Sequence, residues 1–117
     1  MINLSAEEIE EGVIVINLVG EFRIEMINTV EQAWNEQVLK KPRVIAFNCQ
    51  EMAYIDSSSI GSLVKFVNTA KNKKIDLVIY GLNREVFKIF HTARLNNFFG
   101  LMSRTEFEIK HLRKRLV

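Results

Sequence analysis

The chain has 117 residues, enough for one domain around a single hydrophobic core and short for two. Apolar residues make up 48% and charged residues 26%, an ordinary globular balance that excludes a disordered or fibrous chain. The net charge of +2 gives no electrostatic case for nucleic acid or an anionic membrane, and one cysteine, Cys49, excludes an internal disulfide. No apolar run approaches the ~20 residues of a transmembrane helix. Residues Met1 to Gly12 are acidic and lack the basic start and apolar centre of a secretory signal. These features predict a cytoplasmic protein, without membrane insertion, in which Cys49 is a buried reduced thiol.

In chain order, residues 1–10 alternate weakly, and Ile2, Leu4 and Ile9 mark an edge strand before a turn at Glu11-Gly12. Val13 to Val19 is a near-continuous β-branched run, the pattern of a strand covered on both faces, which Gly20-Glu21 is expected to end. Ile27, Val30, Trp34 and Val38 then recur at helical spacing, with Glu31, Asn35 and Glu36 away from the stripe. Lys40-Lys41-Pro42 stops that helix, since proline cannot continue it. Val44 to Phe47 reads as a second buried strand, closed by Asn48 and Cys49.

The stretch Tyr54 to Gly61 follows, a polar turn of Asp56 and three serines before a long amphipathic pattern. Ile60, Leu63, Val64 and Val67 set the apolar stripe of a helix running to about Asn72, with Ser62, Lys65 and Thr69 opposite. Leu77 to Tyr80 is a third buried strand, ended by Gly81. Asn83 caps a short helix from Arg84 to about Ala93 with Val86, Ile89 and Phe90 inward. Phe98 to Met102 is a short last strand. Ser103 and Glu106 have capping-box spacing and open a final helix through Phe107, Ile109 and Leu112. Helices alternating with buried strands predict an α/β sandwich: a mixed, mostly parallel sheet with an N-terminal antiparallel hairpin and about four helices, in one domain over residues 1–117.

The residues support little catalytic chemistry. A nucleophile elbow needs glycine two residues on either side of its serine, and Ser57, Ser58 and Ser59 all lack that pattern. The two histidines, His91 and His111, are poor candidates for a base: one adjoins inward residues of a short helix, the other lies among Lys110, Arg113, Lys114 and Arg115. That basic run reads as the solvated face of a terminal helix. Gly20, Gly61 and Gly81 are isolated, so no phosphate-binding glycine loop is present, and no cysteine–histidine spacing suits a metal. No cofactor is expected. The serine turn remains open to three readings: a plain cap, an anion seat on the helix dipole, or a site of phosphorylation. Phosphate there would add about −1.5 to −2 charges and three acceptor oxygens, enough to create or abolish a protein contact.

Asp56-Ser57-Ser58-Ser59-Ile60-Gly61, after a strand ending near Asn48 and a loop through Met52 and Tyr54, resembles the Asp-Ser-Ser/Thr-Gly-Leu-Gly signature of bacterial anti-sigma factor antagonists, which are stand-alone STAS domains. The order of elements agrees along nearly the whole chain. The resemblance implies a STAS-like sandwich and a non-enzymatic switch. The unphosphorylated form would bind an anti-sigma factor that is also a serine kinase and so free a sigma factor. Phosphorylation would separate the pair, and a serine phosphatase would reset it. The position matching the phosphorylated serine is Ser57, with Ser58 second. Ser59 departs from the usual glycine, Ser62 from an apolar residue, and Arg23 from the acidic residues common after the Gly-Glu pair. Arg23 is expected near Ser57, where an arginine pairs with phosphate in bidentate fashion. At ~100° per residue, Ser59, Ser62 and Phe66 fall on a flank beside the buried stripe, which makes them, with Asp56, Ser57, Ser58 and Arg23, the expected partner-binding residues. Phe66 has a second reading, packed beneath a neighbouring helix. A non-switching scaffold in a sensory complex, or an accessory subunit of an ABC-transporter ATPase, is the alternative function.

Overall fold

The computed structural model describes residues 2–95 and 98–113. Lys114 and Arg115 of the basic run lie outside the described residues. The elements are β1 (Ile2–Glu10), β2 (Val13–Phe22), a 3-10 turn (Ile24–Met26) leading into α1 (Ile27–Val38), β3 (Val44–Asn48) and β4 (Met52–Ile55). They continue with α2 (Ser57–Lys73), β5 (Asp76–Tyr80), α3 (Arg84–Thr92), β6 (Gly100–Met102) and α4 (Arg104–His111).

The sheet order is β1-β2-β3-β5-β6, with β4 paired to β2 off this path. β1 and β2 form the expected antiparallel hairpin and the other pairings are parallel. The predicted α/β sandwich is therefore observed. Its two faces carry separate cores. On one face α1, α2 and α3 send Val30, Trp34, Leu63, Phe66, Val86 and Phe90 against Ile14, Ile16, Ile45, Phe47 and Ile79. On the other, Phe107 of α4 packs on Val13, Val15, Val44, Ala46, Val78 and Tyr80. Alternate residues of each central strand are thus apolar for different partners, which is why these strands read as unbroken runs. Ile109 of the same helix is 57% exposed, because one short helix buries a single narrow stripe.

Two expectations about the chain near the turn are corrected. β2 does not end at Gly20-Glu21 but runs on to Phe22. Gly20 has φ +106, a conformation that costs glycine little, and its amide donates to Glu51 O at 2.9 Å. The strand leaves β3 here and takes β4 as its new neighbour: Gly20 pairs with Met52, then Glu21 with Tyr54 and Phe22 with Ile55, a slip that leaves Ala53 outside the register. The stretch through Met52 and Tyr54, expected as loop, is accordingly a strand. Its pairing delivers Ile55 and Asp56 beside Phe22, and Asp56 N donates to Phe22 O at 3.2 Å.

Candidate functional site: the turn into α2

Asp56 is the N-cap of α2, with extended backbone (φ −94, ψ 171), and Ser57, Ser58 and Ser59 are its first three helical residues. One carboxylate oxygen, Oδ1, accepts from Ser59 N at 2.9 Å, which is the ordinary cap. The other, Oδ2, accepts from Ile24 N at 2.8 Å, across from the end of β2. Partial burial pushes the Asp56 carboxyl upward, but the bonds from Ser59 and Ile24 and the charge of Arg23 outweigh it, and the group is held below the usual carboxylate range. The Ser59 hydroxyl contributes to this from close by without reaching full hydrogen-bond geometry.

Ser57 and Ser58 are exposed, and their backbone amides have no acceptor among the described residues, as expected for the opening turn of a helix. Two N–H groups and the positive end of the helix dipole therefore face solvent beside two free hydroxyls. Arg23 stands nearby. Its Nε donates to Glu21 Oε1 at 3.1 Å and its guanidinium lies 4.3 Å from the centre of the Tyr54 ring. No hydrogen bond joins it to Ser57, and its charge acts on Asp56 instead.

Ser59, Ser62 and Phe66 are not on a surface flank. All three are buried, Phe66 to 3% exposure, and the Phe66 ring stacks on Trp34 at 4.8 Å and on Phe47 at 5.9 Å between centroids. α2 meets the sheet and α1 at once, so its buried arc spans roughly 160° rather than a narrow stripe. The hydroxyl oxygens of Ser59 and Ser62 have no hydrogen-bond partner among the described residues. What α2 does expose is the opposite ridge of Ser57, Ser58, Gly61 and Lys65. Beside it lie Ile24, 58% exposed, and the half-exposed Tyr54. Sequence reasoning missed both as surface groups, since an isoleucine after Arg23 and an unrecognised strand at Tyr54 carry no pattern of their own. Gly61 differs again: a Cβ built on it meets nothing within 4 Å, and its φ is not in the left-handed region.

His91 stacks on Phe87 of α3 and His111 on Phe107 of α4, and neither bonds a serine of the turn. Burial pushes the His111 imidazole below its usual range.

The STAS-domain family model matches residues 5–109. This chain belongs to the STAS-domain family. Anti-sigma-B factor antagonists of Listeria monocytogenes and Listeria innocua are each 24% identical to it over 96 residues, covering 82% of this chain and 84% of the relative. The crystal structure of an anti-sigma factor antagonist from Mycobacterium paratuberculosis is similar at a TM-score of 0.83 and 17% identity, over 97% of this chain and 96% of that one. The Bacillus cell fate determinant SpoIIAA in its phosphorylated form is similar at 0.71 and 18% identity, over 92% and 96% of the two chains. The structural likenesses establish the STAS fold, and within it the serine turn occupies the strand-to-helix corner before α2.

Proposed function

We propose that this STAS protein is an anti-sigma factor antagonist that docks on an anti-sigma factor serine kinase through the turn before α2, and that a phosphate on Ser57 releases it. The observation that carries the reading is the exposed Ser57 hydroxyl at the first position of α2, immediately after a doubly bonded aspartate cap. The named Listeria relatives support the role, and the existence of a phosphorylated SpoIIAA supports the chemistry.

The docking ridge in this reading is Ser57, Ser58 and Gly61, flanked by Arg23, Ile24 and Tyr54; Ser59, Ser62 and Phe66 support it from inside. Ile24 and Tyr54 supply apolar contact. Gly61 supplies room for a partner backbone, because nothing inside the fold asks for a glycine there. A phosphate on Ser57 would seat on the open amides of α2, and its charge would lie in the desolvated contact. Leaving such a charge uncompensated costs several kcal/mol, and every 1.4 kcal/mol weakens binding about tenfold. Arg23 would turn from Glu21 toward the phosphate and stabilise the released form. A serine phosphatase would restore the first state.

The test uses the full chain with its cognate anti-sigma factor kinase. Incubation with ATP followed by mass spectrometry is expected to place one phosphate on Ser57, with none on the Ser57→Ala variant, which still binds. Ser57→Asp is expected to bind at least tenfold more weakly. Equal kinase affinity of Ser57→Asp and the unmodified chain would remove the charge gate, and phosphate on Ser58 would move it by one residue.

A further inference from the structure

On the face of the sheet opposite α2, one polar row crosses four strands. Ser5, Asn17, Asn48 and Tyr80 are successive register partners on β1, β2, β3 and β5. Asn17 Nδ2 donates to Ser5 Oγ at 3.1 Å, Asn48 Nδ2 donates to Asn17 Oδ1 at 2.8 Å, and Asn48 Oδ1 accepts from Gln50 N at 3.0 Å. The row stops short at Tyr80. That residue is 5% exposed, yet its hydroxyl makes no hydrogen bond among the described residues. It is the ring that is buried; the hydroxyl oxygen keeps access to the space beside it.

The hydroxyl is not sealed into the core. Tyr80, Asn17 and Asn48 form the floor of a cavity of about 220 Å³, with Glu7 of β1 at its side and Arg104, Phe107 and Glu108 of α4 above. Asn48 and Tyr80 are the last residues of their strands, and the C-terminal ends of parallel strands are where α/β sheets usually hold ligands. Cavities for drug-sized molecules run to about 300–1,000 Å³, so this one takes a single ring or a short chain.

The charges choose between ligand classes. Arg104 Nε is already committed to Glu108 Oε2 at 3.4 Å. The Glu7 carboxylate has no partner among the described residues, so the unmatched charge in the cavity is negative. Burial raises the Tyr80 phenol above its usual range, and it stays neutral, able to accept as well as donate. The lining also keeps donors, in the second N–H of each asparagine amide and in the Arg104 Nη groups, but its two carboxylates, Glu7 and Glu108, outnumber its one guanidinium. Phe107 and Val15 supply an apolar wall.

We propose that this cavity binds a small planar organic cation, held by the Glu7 carboxylate and the Tyr80 hydroxyl. Since α4 forms the roof, occupancy ties that helix to the sheet, on the face away from the serine turn and independently of what the turn does.

Benzamidinium, neutral benzamide and anionic benzoate have nearly one shape and three charge states, and serve as probes of the full chain. Amide-detected NMR titration follows the Asn17 and Asn48 side-chain NH2 groups, with the thermal midpoint as a second reading. Benzamidinium is expected to shift both NH2 pairs saturably in the millimolar range and to raise the midpoint, with benzamide weaker and benzoate without effect. Tyr80→Phe keeps the ring that stacks on Phe107 at 4.8 Å and should weaken benzamidinium by roughly five- to tenfold, the loss of one hydrogen bond. Glu7→Gln, at an exposed position, should weaken it at least as much. Benzoate binding as well as benzamidinium would make Arg104 the recognising group and overturn the proposal. So would the absence of any saturable shift, or benzamidinium binding that both variants leave unchanged.

Discussion

Asp56 Oδ2 accepts a 2.8 Å hydrogen bond from the backbone amide of Ile24, 32 residues earlier in the chain. One carboxylate therefore starts α2 and fastens the end of β2 to it. Replacing Asp56 by Ala removes both bonds and should lower stability by about 1–2 kcal/mol, the upper part of the range for lost caps. Asn caps nearly as well but does not titrate. Because the folded carboxyl lies below its unfolded value near 3.9, its contribution is complete above that pH and is lost as pH falls through the folded value. Urea midpoints of the unmodified chain and Asp56→Asn, measured from pH 6 to pH 2, should therefore converge at the acid end. A gap that stays constant across the series would show that the charge of Asp56 adds nothing to its cap.

Gly61 and Phe66 should separate binding from stability. Gly61→Ala meets open space in a helix interior and should raise stability by about 0.5–1 kcal/mol, while a partner that approaches the ridge closely should bind less well. Phe66→Ala empties the stack on Trp34 and Phe47 and should cost about 3–5 kcal/mol. Denaturant unfolding beside partner titration reads both. A Gly61→Ala chain that is more stable and binds unchanged would leave that glycine without an explanation.

Cys49 is buried, and burial pushes its thiol up to about 12. Since the folded value is raised, the neutral thiol contributes fully below the unfolded value near 8.5, and that contribution is lost as pH climbs toward the folded one. A thiol reagent such as DTNB at pH 8 should react at the rate of chain opening, and rise sharply only across the urea transition. A fast stoichiometric burst in native buffer would contradict the burial.

Much of this architecture was legible because the central strands serve two cores. Val13 to Ile16, Val44 to Phe47 and Leu77 to Tyr80 need apolar groups on both faces, and such runs are hard to mistake. The caps at Asn83 and Ser103 were equally plain, and both form the expected bonds to Val86 N and Glu106 N. β4 was hidden by its four-residue length and by a partner segment that begins after a glycine normally taken as a stop. The buried serines were misread because a hydroxyl suggests solvent. On α2 both serines lie inside the arc that faces the sheet and α1, where Trp34 stacks on Phe66. The turn itself was located correctly, but its exposed neighbours Ile24 and Tyr54 depend on pairing between β2 and β4, which no local pattern announces.

The change of neighbour at Gly20 also bears on the order in which the chain can fold. α2 has its own cap, Asp56 Oδ1 accepting from Ser59 N, so its first turn can form locally. The bond to Ile24 cannot form until β2 has crossed the bulge and found β4, and it closes a loop of 32 residues. The surface made by Arg23, Ile24, Tyr54 and Ser57 thus exists only where these two segments have paired. A partly folded chain would carry the serine and its helix but not that surface, so recognition by it would double as a check that the fold is complete.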